Sequence, residues 1–146
     1  MKVLIQRVSQ ASVEVEGQVV SNIPAGLLLL VGFEKGDDES KLKPAAKKVS
    51  GLRIFSDENG RFMHSVLDTK GSVLAVSQFT LLADTSKGRR PEFFRALEPE
   101  AANTLFNKFL AELSECGIED VQAGVFGAMM KVSLLNDGPV TISLDF

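Results

Sequence analysis

The sequence predicts an α+β domain with a mostly antiparallel sheet and about two main helices, and three observations carry that reading. Period-2 alternation of apolar and polar residues fills the first third and the end of the chain, two stretches carry apolar residues at helical spacing, and turn residues separate the two kinds. No linker, repeat or low-complexity run interrupts the 146 residues, of which 45% are hydrophobic and 24% charged, so a single domain over residues 1–146 is expected. A chain of this size buries roughly two thirds of its unfolded surface and needs neither disulfides nor a structural metal to hold a core.

Val3 and Ile5 alternate with Lys2, Leu4 and Gln6, and Val13 and Val15 with Ser12, Glu14 and Glu16; this predicts two strands, then a hairpin at Glu16-Gly17 from which Val19-Val20 returns. Pro24-Ala25-Gly26 reads as a loop, and Leu27 to Phe33 as a central strand buried on both faces, ended by Gly36. Asp37, Asp38 and Ser40 offer N-cap chemistry to a short helix with Leu42, Ala45, Ala46 and Val49 at helical spacing, in which Pro44 fits only within the first turn. Leu52 to Phe55 resumes extended structure, and Asp57-Glu58-Asn59-Gly60 is a turn. Ser72 to Leu82 reads as one long strand, with Val73, Ala75, Ser77, Phe79 and Leu81 on one face and Leu74, Val76, Gln78, Thr80 and Leu82 on the other. Pro99 to Glu115 is the clearest helix: Ala102, Leu105, Phe106, Phe109, Leu110 and Leu113 form its apolar stripe, Pro99 suits its first position and Gly117 its stop. Met129 to Leu135 and Val140 to Phe146 close the chain as two strands joined by a turn at Asn136-Asp137-Gly138-Pro139.

Composition excludes several classes of function. With one cysteine, Cys116, and one histidine, His64, neither a disulfide scaffold nor a zinc cluster is possible, and a reducing cytosol fits best. The longest apolar run falls well short of the ~20 residues of a membrane-spanning helix, and the alternating N-terminus is unlike a signal peptide. A mature, cytoplasmic protein without a membrane partner is expected. The formal charge of -3 argues against coating nucleic acid through an overall field, and no DNA partner is expected, though a local basic patch remains open. There is no P-loop or dinucleotide fingerprint, and no cofactor or metal is expected. His64, just past the Asn59-Gly60 turn, reads as an exposed hairpin residue, and Ser65 sits in no nucleophile elbow. Cys116 reads as a boundary hydrophobe and Asp37-Asp38-Glu39 as a helix start.

Three segments stand out. Gln78 and Thr80 interrupt an otherwise apolar strand, and burying them unpartnered would cost on the order of 1 to 3 kcal/mol each. Lys87-Gly88-Arg89-Arg90-Pro91-Glu92-Phe93-Phe94-Arg95 carries four bases and one acid, a local charge of 4 − 1 = +3 in an acidic chain, and suits a phosphate-bearing partner. Asn136 to Thr141, taken alone, is a hairpin turn.

Together these segments resemble a known family. Ser77 to Leu81 as SQFTL, Lys87 to Phe93 as KGRRPEF and Val132 to Thr141 as VSLLNDGPVT, with the opening MKVLIQRV and Leu52 to Phe55 as LRIF, are similar along the whole chain to D-aminoacyl-tRNA deacylases, also called D-tyrosyl-tRNA deacylases. Arg89 is a small departure, since many members carry Asn there. The resemblance implies a barrel-like sheet and a homodimer whose active site lies at the subunit interface. Ser77, Gln78, Phe79 and Thr80 would line the pocket as catalytic residues, and Gly138 and Pro139, joined by a cis peptide, would reach in from the partner to hold the substrate's α-ammonium through their carbonyls. Lys87, Arg89, Arg90 and Arg95 would bind the tRNA phosphates.

The implied substrate is tRNA carrying a D-amino acid, and an activity on mischarged glycyl-tRNA is expected as well. With the ammonium and ester carbonyl both pinned, an L-residue would drive its Cβ into backbone, whereas glycine offers nothing to reject. An aminoacyl ester is already activated, so backbone N–H groups near Phe79 and Thr80 together with the substrate's 2′-hydroxyl suffice in place of an acid/base pair. Three alternatives remain: Thr80 as a covalent nucleophile, a dimeric module that binds RNA ends without cutting them, and a structural dimer without a ligand.

Overall fold

One strand organises the sheet. β1 (Lys2–Val15) pairs antiparallel with β2 (Gln18–Ile23) through its second half, where Ala11 faces Ile23, and with β3 (Gly26–Gly32) through its first half, where Lys2 faces Gly32. The structure, a computed structural model, describes residues 1–146. Glu16 and Gly17 turn β1 into β2 with φ of 51° and 81°, the paired positive values that match the twist of a two-residue hairpin.

Parallel strands cannot be joined by a tight turn, and here the helices supply the crossovers. After β3 the chain forms α1 (Leu42–Gly51), then a small hairpin of β4 (Phe55–Ser56) and β5 (Phe62–His64), before β6 (Ser72–Ser77) lies parallel to β3. It next forms α2 (Pro99–Glu115) before β7 (Val121–Ala123) lies parallel to β6. β8 (Met130–Asp145) then returns antiparallel along nearly the whole of β1. Three of the five pairings in this sheet are therefore antiparallel. The strand path runs β2-β1-β3-β6-β7, and its two ends approach each other where the Asn22 N–H donates to Gln122 Oε1 at 3.0 Å, so the sheet curls into a nearly closed barrel.

Alternation along the central strands divides the core. Leu27, Leu29 and Val31 of β3 and Val73 and Ala75 of β6 join α1 and α2 in a cluster of 22 buried residues. Leu28, Leu74 and Val76 point the other way and meet Val8, Ala11, Val13 and Ile23 in a second cluster of 7. Both helices lie as the spacing predicts. Asp38 caps the 3₁₀ turn Glu39–Lys41 that leads into α1, its Oδ1 accepting from the Ser40 N–H at 2.9 Å, and Pro44 falls in the first turn. α2 has the expected bounds and buries Ala102, Leu105, Phe106, Phe109 and Leu113.

Three strand expectations are corrected. The two opening strands are one, β1, because both halves share β8 as partner. The strand from Ser72 stops at Ser77, and Phe79–Leu82 winds into a 3₁₀ turn, since beyond Ser77 neither neighbouring strand continues to offer a ladder. Asn136-Asp137-Gly138-Pro139 does not reverse the chain. It is an irregular stretch within β8, where the register against β1 slips on either side of Val8 and the direction is kept.

Candidate active site

The end of β6 opens onto a cavity of about 780 Å³. Ser77, Gln78, Phe79 and Thr80 form one wall, Phe33 and Lys35 after β3 another, and Glu98, Pro99 and Ala102 at the start of α2 a third; Phe126 to Met130 complete it. The lining is largely apolar with a few convergent polar groups, the usual make-up of a small-ligand site.

The polar wall has a definite backbone. The Gln78 N–H donates to the Val31 carbonyl at 2.7 Å, the last bond of the β3–β6 ladder, and the chain then tightens so that the Leu81 N–H reaches the Gln78 carbonyl at 3.2 Å. The N–H groups that open a 3₁₀ turn have no partner inside it, which leaves those of Phe79 and Thr80 free of the turn's own hydrogen bonds. The Gln78 side-chain amide donates to Thr80 Oγ1. An amide is no base, and His64, on β5, lies outside the cavity lining. The Phe79 ring is held edge-on against Phe93 at 4.9 Å.

The basic loop follows directly. Asp84 and Glu92 pair through their backbones at 2.8 and 2.9 Å, and between them Lys87, Arg89 and Arg90 are exposed. Hydrogen bonds from the Ser86 side chain and N–H hold the Asp84 carboxyl below its usual range, so the loop keeps an acid at its base. Arg95 differs from the other three. Its Nε lies 2.5 Å from Glu34 Oε1, an ion pair that lowers the Glu34 carboxyl and raises the guanidinium, so its charge is already matched within the chain.

Gly138 and Pro139, joined by a cis peptide, do not line this cavity. They sit in the exposed stretch of β8, braced from behind by a residue whose role has no local sequence motif. Arg7 Nε donates to the Asp137 carbonyl at 2.9 Å and lies 3.0 Å from its carboxylate, while Nη1 donates to the Ile54 carbonyl at 2.5 Å. The guanidinium is stacked near Phe55 and Phe62, and Asn136 Nδ2 ties the same stretch to the Arg7 and Val140 carbonyls at 3.1 and 3.2 Å. The one signal in the sequence is parity: Arg7 follows Val3 and Ile5 on the core-facing register of β1.

Comparison with known proteins shows the family of the chain. A family model described as D-Tyr-tRNA(Tyr) deacylase matches residues 4–145. The chain belongs to this family. A D-aminoacyl-tRNA deacylase of Roseiflexus castenholzii is 55% identical over 99% of this chain and 92% of its own, and one of Bacillus cytotoxicus 50% identical over 99% of each. A solved structure described as c-Myc DNA Unwinding Element Binding Protein superposes with a TM-score of 0.94 at 40% identity, covering 100% of this chain and 99% of its own. Within this deacylase family member, then, Ser77 to Thr80 come together at one cavity with the basic loop beside it, and Gly138-Pro139 stands apart. The far wall from Phe126 to Met130 has no counterpart among the expected site residues: Phe126 to Ala128 form a short loop without charge or period, and Met129 and Met130 carry only the signal of the strand they open.

Proposed function

We propose that this chain hydrolyses the ester bond of D-aminoacyl-tRNA, and of mischarged glycyl-tRNA, releasing the free amino acid and intact tRNA as a proofreading step of translation in the cytoplasm. The observation that carries the reading is the cavity wall at Gln78 to Thr80, where backbone donors are unconsumed by the turn and the one hydroxyl faces an amide. Water adds to the ester carbonyl carbon, charge develops on the carbonyl oxygen against the Phe79 and Thr80 N–H groups, and the bond to the ribose oxygen breaks as that oxygen takes up a proton. Donors fixed in advance at such a site contribute about 3 to 4 kcal/mol to the barrier reduction. The neighbouring 2′-hydroxyl assists the water.

The working unit in this reading is a homodimer. Ser133 to Pro139 of β8 is exposed throughout, with Leu135 57% exposed and the nearby Met129 92%, an apolar edge that a second copy would cover. The partner's Gly138-Pro139 carbonyls then hold the substrate ammonium, and its backbone excludes an L-configured Cβ. Lys87, Arg89 and Arg90 receive phosphates of the tRNA end.

Purified protein given excess D-aminoacyl-tRNA in the presence of chelator tests the reading. Release of free D-amino acid over many turnovers is expected. Stable retention of uncleaved D-aminoacyl-tRNA would replace the enzyme by a binding module, and an acyl-enzyme trapped on Thr80 would replace the backbone mechanism.

A further inference from the structure

Gly32 ends β3 with a φ outside the left-handed range, so the position does not need a glycine for its conformation. It needs one for space. A Cβ at Gly32 would stand 2.9 Å from the Gln78 carbonyl oxygen, 3.4 Å from Leu81 Cβ and 3.7 Å from Leu82 Cγ. The 3₁₀ turn that carries Phe79 and Thr80 is therefore seated directly on the bare backbone of Gly32.

Such a clash must be relieved by whichever side can move. Gly32 cannot retreat easily, since it is paired with Lys2 of β1, and its neighbour Val31 is paired with Val3 on one side and Ser77 on the other. The Gln78 carbonyl is held by one bond, from the Leu81 N–H at 3.2 Å. That carbonyl shares a rigid peptide plane with the Phe79 N–H. Pushing the oxygen away from position 32 must tilt the N–H at the other edge of the same plane.

We propose that Gly32 is a positioning residue for the hydrolysis: its missing side chain sets the direction of the Phe79 N–H, the donor assigned to the developing oxyanion. This rests on the deacylase reading above. Gly32 does not line the cavity and acts only through the Gln78-Phe79 peptide. Because a misdirected donor fails where charge develops and leaves the rest of the substrate contacts in place, the loss belongs in kcat, not in KM.

The test compares Gly32→Ala with Gly71→Ala, where an added Cβ would meet Val66 Cγ2 at 3.0 Å and Thr69 Oγ1 at 3.3 Å, a milder crowding that lies outside the cavity lining. Both variants are expected to fold. On D-aminoacyl-tRNA, Gly32→Ala should lose about 100-fold in kcat, the usual effect of one oxyanion donor, with KM within about twofold. Gly71→Ala should keep wild-type kcat, and the Phe79 amide resonance should shift in Gly32→Ala alone. Unchanged kcat in Gly32→Ala, an equal loss in Gly71→Ala, or a Gly32→Ala chain that does not fold would each overturn the proposal, the last by making Gly32 a requirement of the fold. An inactive wild-type protein would instead remove the deacylase reading, and this inference with it.

Discussion

Arg7 and Asp137 meet twice, Nε to the main-chain oxygen at 2.9 Å and to the carboxylate at 3.0 Å, and this pair ties the stretch holding Gly138 and Pro139 to the first strand. Arg7 is buried with hydrogen bonds to two carbonyls, whereas the Asp137 side chain is 59% exposed, so the arginine end carries most of the consequence. Arg7→Ala should cost about 3 kcal/mol by leaving the Ile54 and Asp137 carbonyls without their charged donor. Asp137→Ala, which removes a solvated partner, should cost under about 1 kcal/mol. Urea unfolding of both variants measures the difference, and equal costs would mean that the ion pair, not the buried carbonyl bonds, holds this stretch.

Gly138→Ala places a Cβ 2.6 Å from Asn136 Oδ1, and turning that amide aside gives up its bonds to the Arg7 and Val140 carbonyls. Stability should fall by about 1 to 2 kcal/mol, the worth of those two hydrogen bonds. Activity should fall much further. If both Gly138→Ala and Gln78→Ala are inactive alone, mixing them should restore one intact site per heterodimer, because in the proposed dimer each site would take the cavity wall from one chain and the loop from the other. No recovery after demonstrated subunit exchange would place the loop's role within its own chain.

Replacing Lys87, Arg89 and Arg90 together by Ala should weaken tRNA binding and flatten the slope of log K against log salt by about 2 to 3, near 0.7 to 0.9 for each phosphate no longer neutralised. Arg95→Ala should alter the slope far less, because Glu34 already neutralises its charge. A slope unchanged by the triple replacement would make the loop ordinary surface. Equal effects from Arg95→Ala alone would show that the ion pair opens on binding.

Asp37 supports a pH prediction. Burial alone would raise its carboxyl, but hydrogen bonds from Lys41, the Met1 amino group and the Glu34 N–H outweigh that and hold it below its usual 3.8. A carboxyl depressed on folding adds stability that is complete above its unfolded value and lost as the pH falls through the lower folded value. Asp37→Asn should therefore cost about 3 kcal/mol at neutral pH, as breaking a buried pair does, and the gap to wild type should close below about pH 4. A gap constant from pH 7 to pH 3 would contradict this.

How far the fold is legible in the sequence follows from which signals are local. α2 is readable because Pro99, Gly117 and the stripe from Ala102 to Leu113 agree on one period, and β3 because Leu27 to Val31 is apolar on both faces. Asn136 to Pro139 has the composition of a turn, yet pairing with β1 on both sides of it carries the strand straight through, a long-range contact that no window of residues contains. Gln78 misleads for a similar reason: Ser77, Phe79 and Leu81 alternate as a strand would, and only the absence of further ladder partners turns the chain into a 3₁₀ helix. Among the expected site residues, the SQFTL and Gly-Pro segments are visible through family resemblance and not through periodicity. Arg7 shows only in its parity with Val3 and Ile5 and Gly32 not at all, since what each does depends on a neighbour far away in sequence, Asp137 and Ile54 for one and Gln78 for the other.

The account turns on chirality, and its most direct measurement is the hydrolysis rate of D- and L-aminoacyl esters of the same amino acid on the same tRNA, followed with purified wild-type protein in chelator. Fixed contacts to ammonium and carbonyl predict that the D ester, and the glycyl ester, are cleaved over many turnovers while the L ester decays only at its spontaneous rate. Comparable cleavage of D and L esters would contradict the account, because a cavity indifferent to the direction of Cβ would not be pinning the substrate at both points.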